Sequence, residues 1–439
     1  MAVYAKTIIE VWNGTIYDDI SKDVVSEISC TYGIRGNTVN DRVANVGELK
    51  FTLRNDTGCI GGVANYYTPN TIGAKENWRE GIPVRLKFVY RTETVIKFVG
   101  HITELNIDLE NKRVEVTARD WMDYAENMPM KLVTYNEDKK IGEVVDLILS
   151  GISHQPANKS YATGSNTFTS IFDTVKNRTR ALGEFQKLAM SEMGYIYIRQ
   201  DPYIGETLVV DGMITRNGFP TAIVPDISGY LASEELEDLV TESGDKLVVI
   251  TQEFASLTNQ AYNVEMEQGK RIYNIVNSRY YQRKIDTTAQ VLYSIDSPIA
   301  IAGNTTIKME VNYKDSNNVA SSVAGKNMVN PVATTDYLMN TLESGSGTDL
   351  TSNLTVTADY YVTKIIYTLE NTSATAGYIT KLQARGYGIY IYNPSDVVYT
   401  SLSVNVYGER EIMFDLPYLN SSDRAYYYAE NFGLSSDYR

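Results

Sequence analysis

Histidine and cysteine are scarce in this chain, and their scarcity limits the chemistry available to it. The 439 residues include two histidines, His101 and His154, and two cysteines, Cys30 and Cys59. Zinc enzymes commonly need two or three converging histidines, often spaced as His-Glu-x-x-His, and that spacing is absent. Two cysteines do not build a disulfide framework. We therefore expect no metal site and no cofactor, and packing or surface roles for both histidines.

The motifs of common enzyme families are also missing. The sequence has no Gly-x-Ser-x-Gly nucleophile motif, and Gly58–Gly62 lacks the lysine and the following helix of a phosphate loop. A Cys–His peptidase stays formally open, although Cys30 lies in a predicted strand and Cys59 lies among glycines instead of at a helix start. Two carboxylates could also act on sugars, but 54 acidic residues single out no pair. The sequence predicts no catalytic residue.

Basic residues are outnumbered, which gives a formal net charge of −14. Tight binding of nucleic-acid phosphates needs clustered Lys and Arg, so this balance argues against it, whereas an acidic wall suits DNA that slides past without sticking. The acidic run from Glu234 to Asp245 predicts a solvated surface.

No apolar run reaches the roughly 18 residues of a membrane span, and no secretion-signal pattern is present. We expect synthesis in a cytoplasm and no membrane segment.

Tyrosine is abundant, with 34 residues against 10 phenylalanines. Its ring packs on half-buried sheets while its hydroxyl keeps a hydrogen bond, so this excess fits either a strand-rich fold or large protein interfaces.

The first block, residues 1–118, is predicted to be a β-barrel. Leu49, Phe51 and Leu53 alternate with polar residues, which is typical of a strand buried on one side. Asn13-Gly14 and Glu110-Asn111 predict turns between strands. Several short strands at this spacing favour a closed barrel or a sandwich.

The second block, residues 119–212, predicts a small α/β module. An apolar stripe over Ile141–Leu149 predicts a helix, and the polar stretch Ser153–Thr169 predicts a loop. A second stripe beginning at Leu182 predicts a helix that Gly194 ends in the left-handed conformation. The strand pattern of Tyr195–Val210 then predicts a hairpin.

The third block, residues 213–439, is predicted to hold a second β-barrel with an inserted β-rich region, at about residues 316–407, and a C-terminal helix. The stretch Ser316–Ser352 is rich in Ser, Asn, Gly and Thr and predicts connections. Ser421-Ser422-Asp423 can cap the final helix. The predicted strands are Ile272–Tyr281, Ala289–Ile295, Thr305–Tyr313, Tyr360–Glu370, Ala376–Tyr392, Val397–Tyr407 and Arg410–Leu416.

Four stretches carry a family resemblance. Val95–Asp120 has a Gly-x-Ile strand before a Val-x-Val-x-x-x-Asp strand, and Leu182–Val210 runs through Ala-x-x-Glu-x-Gly into a strand pair. Thr368–Gly388 contains Asn-Thr…Tyr-x-x-x-Leu-x-x-x-Gly, and Arg410–Phe432 joins a strand to a helix. In this order they resemble the baseplate or tail-tip hub proteins of tailed bacteriophages and related injection machines.

The resemblance implies a structural protein of the virion that works as a homotrimer. Two barrels per chain would give a ring of six similar domains, able to sit on a six-fold distal tail or tail tube protein. Genomic DNA would pass through its lumen without specific binding. The implied further partners are the tape measure protein and separate tip or fibre proteins.

Two other functions stay open from the sequence. One is a tail-associated cell-wall hydrolase, which would release fragments from peptidoglycan. The other is a receptor- or glycan-binding module, suggested by the aromatic residues of the third block.

Overall fold

The structure, a computed structural model, describes residues 6–35, 38–90, 93–176, 178–212, 272–317 and 319–437. Within these ranges it contains 22 β-strands and five α-helices, so the prediction of a mainly β fold is confirmed. Two short 3₁₀ helices span Ser21–Asp23 and Thr351–Asn353. The acidic run from Glu234 to Asp245 lies outside the described residues.

The first part of the chain forms a seven-stranded antiparallel sheet with the order β2-β1-β5-β6-β7-β4-β3. On β4 the residues Leu49, Phe51 and Leu53 are buried as predicted, because alternate side chains of a strand point to one face. The strands are β1 Lys6–Trp12, β2 Tyr17–Asp19, β3 Ser29–Gly33, β4 Asn45–Arg54, β5 Pro83–Tyr90, β6 Glu93–Asp108 and β7 Arg113–Arg119.

Strands β1 and β4, each next to an edge of this sheet, bind the same short stretch of chain. The Ile20 amide donates to the Ile9 carbonyl on β1 at 2.9 Å, and the Val25 amide donates to the Thr52 carbonyl on β4 at 2.9 Å. The sheet therefore curls around a single apolar core. The core residues include Ile9, Val11, Leu49, Phe51, Leu53, Val84, Leu86, Phe98, Ile102, Val114 and Val116.

The middle part combines three helices with a small sheet. Strands β9 and β10 form the predicted antiparallel hairpin, and β8 pairs in parallel with β10. The elements are α1 Met122–Asn127, α2 Ile141–Leu149, β8 Asn158–Tyr161, α3 Ala181–Glu192, β9 Tyr195–Asp201 and β10 Gly205–Asp211.

Two predictions for this part are wrong in detail. Ser153–Thr169 is not loop throughout, since it contains β8, an edge strand that pairs through its backbone and needs no alternating apolar side chains. The left-handed residue after α3 is Met193, with φ 55°, and not Gly194. Glycine is required at position 194 because the backbone there passes close to β10. A Cβ at this position would lie 2.2 Å from the carbonyl oxygen of Asp211.

The last described part contains a small sheet interrupted by a long excursion. Strands β21, β11 and β22 lie side by side, and the chain leaves this sheet after β11 and returns at β21. The elements are β11 Ile275–Tyr280, β12 Arg283–Ile285, β13 Gln290–Ser294, β14 Ile299–Ile301, β15 Thr305–Asn312, β16 Ser322–Val329, β17 Tyr337–Asn340, β18 Leu354–Tyr360, β19 Lys364–Asn371, β20 Gly377–Ile391, β21 Ser395–Thr400, α4 Val404–Tyr407, β22 Glu411–Leu416 and α5 Ser422–Asp437.

The excursion is built around β20, a 15-residue strand that pairs with β12, β13, β14, β16 and β17. A second sheet, β15-β19-β18, shares its apolar core. The excursion begins near Arg283, upstream of the expected residue 316. Among the described residues of 213–439, β21, β11 and β22 form a three-stranded sheet beneath α5, and the second barrel stays a prediction.

The stretch Ser316–Ser352 contains connections, as predicted, and also the strands β16 and β17. These two strands pair with β20 across a long sequence separation and are therefore not visible in local composition. One predicted strand in this part is too long. The strand predicted over Val397–Tyr407 ends at Thr400, and the short helix α4 follows.

Candidate functional site: the junction around the central helix

Helix α3 buries polar side chains as well as an apolar stripe. Phe185, Leu188 and Ala189 are fully buried, as the helical spacing predicts. Glu184, Ser191 and Glu192 on the same helix also have no exposed surface. Buried polar groups need partners: Glu192 finds them in residues 165–166, whereas Glu184 and Ser191 both bind Tyr418. We call this set of contacts the α3 junction.

Glu192, the glutamate of the Ala-x-x-Glu-x-Gly motif, holds a loop of the middle part. Its carboxylate accepts hydrogen bonds from the Ser165 amide, the Ser165 hydroxyl at 2.9 Å and the Asn166 amide at 3.1 Å. Burial raises the pKa of Glu192, and these donors offset part of that rise. The role of this glutamate is therefore to fix the backbone at residues 165–166.

The same loop, at residues 165–166, forms hydrogen bonds with the C-terminal helix α5. Arg424 on α5 donates from Nε to the Asn166 side-chain oxygen at 3.0 Å and from Nη2 to the Ser165 carbonyl at 2.7 Å. The Tyr428 hydroxyl contacts Ser165 Oγ at 3.2 Å and also accepts from the Asn166 side-chain amide. Glu192 thereby fixes α5 through one intermediate loop.

Glu184 and Ser191 bind the chain just after β22. The Tyr418 hydroxyl donates to Glu184, and the Tyr418 amide donates to Ser191 Oγ at 2.9 Å. Lys187 forms an ion pair with Glu184, with 2.5 Å between Lys187 Nζ and Glu184 Oε1. Burial raises the pKa of Tyr418 well above its ordinary value, so its hydroxyl stays protonated and remains a donor.

Arg42 connects the first sheet to the junction. Its side chain is 2% exposed, and its Nη1 donates to the Met193 carbonyl at the end of α3 at 2.8 Å. Its guanidinium also lies over the rings of Tyr195 and Phe414. Next to it, the Ala44 amide donates to the Ile196 carbonyl at 2.8 Å, which joins the backbone of the first part to β9.

A buried ion pair ties the excursion to the middle part. Asp173 and Arg283 have side chains 0% and 1% exposed, and Arg283 Nη2 lies 3.2 Å from Asp173 Oδ1. Arg283 Nη2 also donates to the Pro417 carbonyl at 2.7 Å, beyond the end of β22. One guanidinium therefore fixes both the start of the excursion and the chain after the last strand.

A cavity of about 780 Å³ opens beside the junction. Residues 40–45, α3, β11 and the region of β22 line it, and its charged residues are Asp41, Arg42, Lys187, Arg279 and Asp415. The lining residues include no histidine, cysteine or serine that could act as a nucleophile or base.

The two histidines lie on opposite faces of one tyrosine ring. The ring centroid of Tyr124 is 4.3 Å from that of His101 and 4.5 Å from that of His154. His101 Nε2 lies 3.2 Å from Asp123 Oδ2, and burial lowers the pKa of His101 while Asp123 offsets part of that effect. Because the tyrosine separates the two rings, the histidines do not converge on a common ligand.

The cysteines are not placed as nucleophiles. Burial and the nearby Asp120 carboxylate raise the pKa of Cys30 to about 11, so it is a thiol at neutral pH. Cys59 is buried and its Sγ lies 3.3 Å from the Val63 carbonyl. In the described ranges no group of three or more His, Cys, Asp or Glu could hold a metal ion, and no helix is long and apolar enough to cross a membrane.

Sequence reasoning identified some junction residues and missed others. Glu192 belongs to the Ala-x-x-Glu-x-Gly motif, whereas no motif marks Arg42, Asp173 or Arg283. Their partners lie more than 100 positions away, which local patterns cannot show. One available signal was a lone charge within an apolar stretch, as at Asp173 in Ile171-Phe172-Asp173-Thr174-Val175.

Comparison with protein-family models finds no match, and comparison with curated protein sequences finds none either. Among solved structures, the chain is similar to the prophage tail protein gp18 of Listeria monocytogenes EGD-e, with 9% identity, a TM-score of 0.32, and coverage of 94% of this chain and 72% of that one. It is also similar to the 43 kDa tail protein of prophage MuSo2 from Shewanella oneidensis, with 11% identity, a TM-score of 0.31, and coverage of 47% and 54%.

A third similar structure is the Francisella PdpA-VgrG complex, with 12% identity, a TM-score of 0.32, and coverage of 84% of this chain and 52% of that one. The chain thus spans about half the length of the Shewanella and Francisella proteins it matches. Likeness at this level is distant. The chain is a mainly β protein that resembles, at this distance, tail proteins of phages and a VgrG complex.

Proposed function

We propose that this chain is a structural hub of a phage tail tip or baseplate and has no catalytic role. The observation that carries the proposal is that three of the four hub-like stretches meet at the α3 junction. The β6–β7 stretch leads into α1, which packs on α3. The ring of Trp121, just before α1, has its centroid 6.4 Å from that of the Phe185 ring on α3. The second stretch is α3 with its hairpin, and the stretch after Arg410 supplies β22 and α5.

A hub must keep its modules in a fixed relative orientation, because other tail proteins are built on it. Arg42, Glu192 and the Asp173–Arg283 pair supply that rigidity through buried, directional contacts. Such groups are costly to bury and act only in one geometry, so they favour a single arrangement over many similar ones. This supports a connector more than a flexible binding module.

We propose further that the chain assembles as a homotrimer whose ring has a six-fold pattern and passes DNA. The net charge of −14 fits a lumen that DNA does not stick to. Large apolar side chains remain exposed on the isolated chain, including Ile72, Tyr203, Leu402 and Val406. Exposed apolar residues of this size are what permanent interfaces cover. The proposed neighbours are a tail tube protein, the tape measure protein and tip or fibre proteins.

The test is the symmetry of the purified protein and of labelled tail particles. We expect threefold rings in electron micrographs and a trimer by sedimentation at micromolar concentration. A chain that stays monomeric, together with particles that show no ring at the labelled position, would overturn the hub. Release of sugar or peptide fragments from purified peptidoglycan would instead favour the hydrolase.

A further inference from the structure

Arg42 is a buried cation that lacks an acidic partner among the described residues. It is 2% exposed, and in the described ranges its one hydrogen bond runs from Nη1 to the Met193 carbonyl at 2.8 Å. Its Cζ lies 5.2 Å from the ring centroid of Tyr195 and 5.6 Å from that of Phe414. An arginine has five N–H donors, and a buried charge without a counter-charge is costly. Arg42 therefore has donors and a charge that these contacts leave unbalanced.

The unused donors of Arg42 form one edge of its guanidinium. Nε is buried and has no hydrogen-bond partner in the part of the chain that the structure describes, and Nη2 donates to none of the described residues. In a guanidinium, Nε and the Nη on the same side point in parallel and match the two oxygens of a carboxylate. The Met193 carbonyl and the two rings restrict how this group can turn. The Nε–Nη2 edge is therefore preorganised for a planar anion that accepts two hydrogen bonds.

A second arginine, which lines the cavity beside the α3 junction together with Arg42, uses this same edge. Arg279 donates from Nε to one carboxylate oxygen of Asp396 at 2.8 Å and from Nη2 to the other at 3.0 Å. The remaining basic residue of the cavity, Lys187, lies 2.5 Å from Glu184. Among the basic side chains of the cavity, Arg42 is thus the one without a carboxylate partner in the described ranges.

The two acidic residues of the cavity do not neutralise Arg42. Asp41 Oδ2 accepts from the Thr38 amide at 2.8 Å and from the Thr38 hydroxyl at 2.7 Å, and Asp415 accepts from the Tyr281 hydroxyl. Within the described residues neither carboxylate bonds to Arg42. Their charges make the cavity mixed in sign, which disfavours a polyanion such as DNA and favours a ligand that carries one carboxylate among polar groups.

The Nε–Nη2 edge is the polar part of Arg42 that remains to face the cavity. Arg42 lines this cavity of about 780 Å³, whereas its partners Met193, Tyr195 and Phe414 are not among the lining residues. The volume lies within the roughly 300–1,000 Å³ of small-molecule sites. Because little of Arg42 is accessible, the group that reaches it must be narrow, as a carboxylate is.

We propose that the Nε–Nη2 edge of Arg42 is a binding site for a carboxylate that enters this cavity. The carboxylate accepts both N–H groups of the edge, as Asp396 does at Arg279, and balances the buried charge. Its source is a free organic acid or an Asp or Glu side chain of a second copy of this chain. The site consists of residues of one chain, so it does not depend on the hub role.

Acetate is the probe for the site, since it carries a carboxylate and little else. The Nε–H resonances of the full chain, labelled with ¹⁵N in arginine, are followed as acetate replaces chloride at constant ionic strength. Arg42→Lys identifies the Arg42 signal by its loss. We expect that signal to shift along a saturating curve, while the Nε–H signal of Arg283, which Asp173 already binds, stays unchanged as the internal reference.

A pair of opposite charges at position 186 tests the site without altering Arg42. Gln186 is exposed and lines the cavity, so Gln186→Lys should tighten acetate binding and Gln186→Glu should weaken it, each by about two- to fivefold. Gln290 is exposed on the excursion and does not line the cavity, and its Lys and Glu variants are the matched controls with unchanged affinity. Equal acetate affinity in the two Gln186 variants would overturn the site.

Sedimentation of the same samples distinguishes the two sources of the carboxylate. Dissociation of an assembled form by acetate assigns the carboxylate to a second copy of the chain. Unchanged sedimentation at acetate concentrations that saturate the Arg42 signal assigns it to a free acid. An Arg42 signal without a saturable shift, in protein whose sedimentation acetate also leaves unchanged, would overturn the proposal. A chain that is monomeric throughout but binds acetate at Arg42 would remove the proposed trimer and retain this site.

Discussion

Asp173→Ala breaks the buried ion pair at the base of the excursion and should destabilise the protein strongly. Arg283 is 1% exposed, and the substitution removes the carboxylate that receives both its Nε and Nη2 groups. The carbonyls of Tyr281 and Pro417, at 3.0 and 2.7 Å, remain as neutral acceptors. An uncompensated buried charge of this kind costs about 3–5 kcal/mol.

The assay is denaturant unfolding of the full chain, with hydrogen exchange of β12 and β22 as the local readout. The double variant Asp173→Leu with Arg283→Met removes both charges and should recover most of the loss, because well-packed apolar groups replace such pairs at little cost. Asp296→Ala is the matched control: its pair with Lys314 is 87% and 59% exposed, so its loss should cost about 0–1 kcal/mol. A loss below about 1 kcal/mol for Asp173→Ala, or a double variant that is worse than the single one, would refute this reasoning.

Three further predictions concern the junction and its neighbours. Gly194→Ala should cost about 2 kcal/mol or more in the free energy of unfolding, because its Cβ would meet the Asp211 carbonyl oxygen. In contrast, a Cβ at Gly183 on α3 would make only an ordinary contact with Thr179 Cγ2 at 3.9 Å, so Gly183→Ala should gain about 0.5–1 kcal/mol. Glu192→Ala leaves the buried Asn166 amide and the half-buried Ser165 amide without their acceptor and should cost about 1–3 kcal/mol, with faster hydrogen exchange in α5. Unchanged exchange in α5 would contradict the claim that Glu192 fixes this helix through residues 165–166. Because burial lowers the pKa of His101, its ring should titrate below 6.5 by NMR, and stability should fall as the pH drops below that value; a midpoint above 6.5 would contradict this.

Local patterns predicted the elements that depend on their own residues. The alternation of Leu49, Phe51 and Leu53 gave β4, and the helical stripe before Tyr195 gave α3 and its hairpin. In each case the side chains that form the pattern are the ones that the fold buries. The periodicity of apolar residues was therefore enough to predict these elements.

Elements that depend on distant partners were missed. Strands β8, β16 and β17 are polar or irregular in sequence, and each is a strand because another strand offers its backbone. Gly194 was predicted for a conformation that Met193 adopts, since the close approach of Asp211 is a property of the folded hairpin. Local composition contains neither kind of information.

The candidate site shows the same division. Glu192 stands in a motif that the sequence made visible, although its buried partners were not. Arg283 and Asp173 are 110 positions apart, and nothing local marks them as a pair.

The most direct test of the central claim is the rotational symmetry of this protein in assembled tail particles, measured by cryo-electron microscopy with the chain labelled. The hub account predicts three copies in a ring around an open lumen, docked on a six-fold component. A single copy, or copies without a ring and lumen, would contradict it.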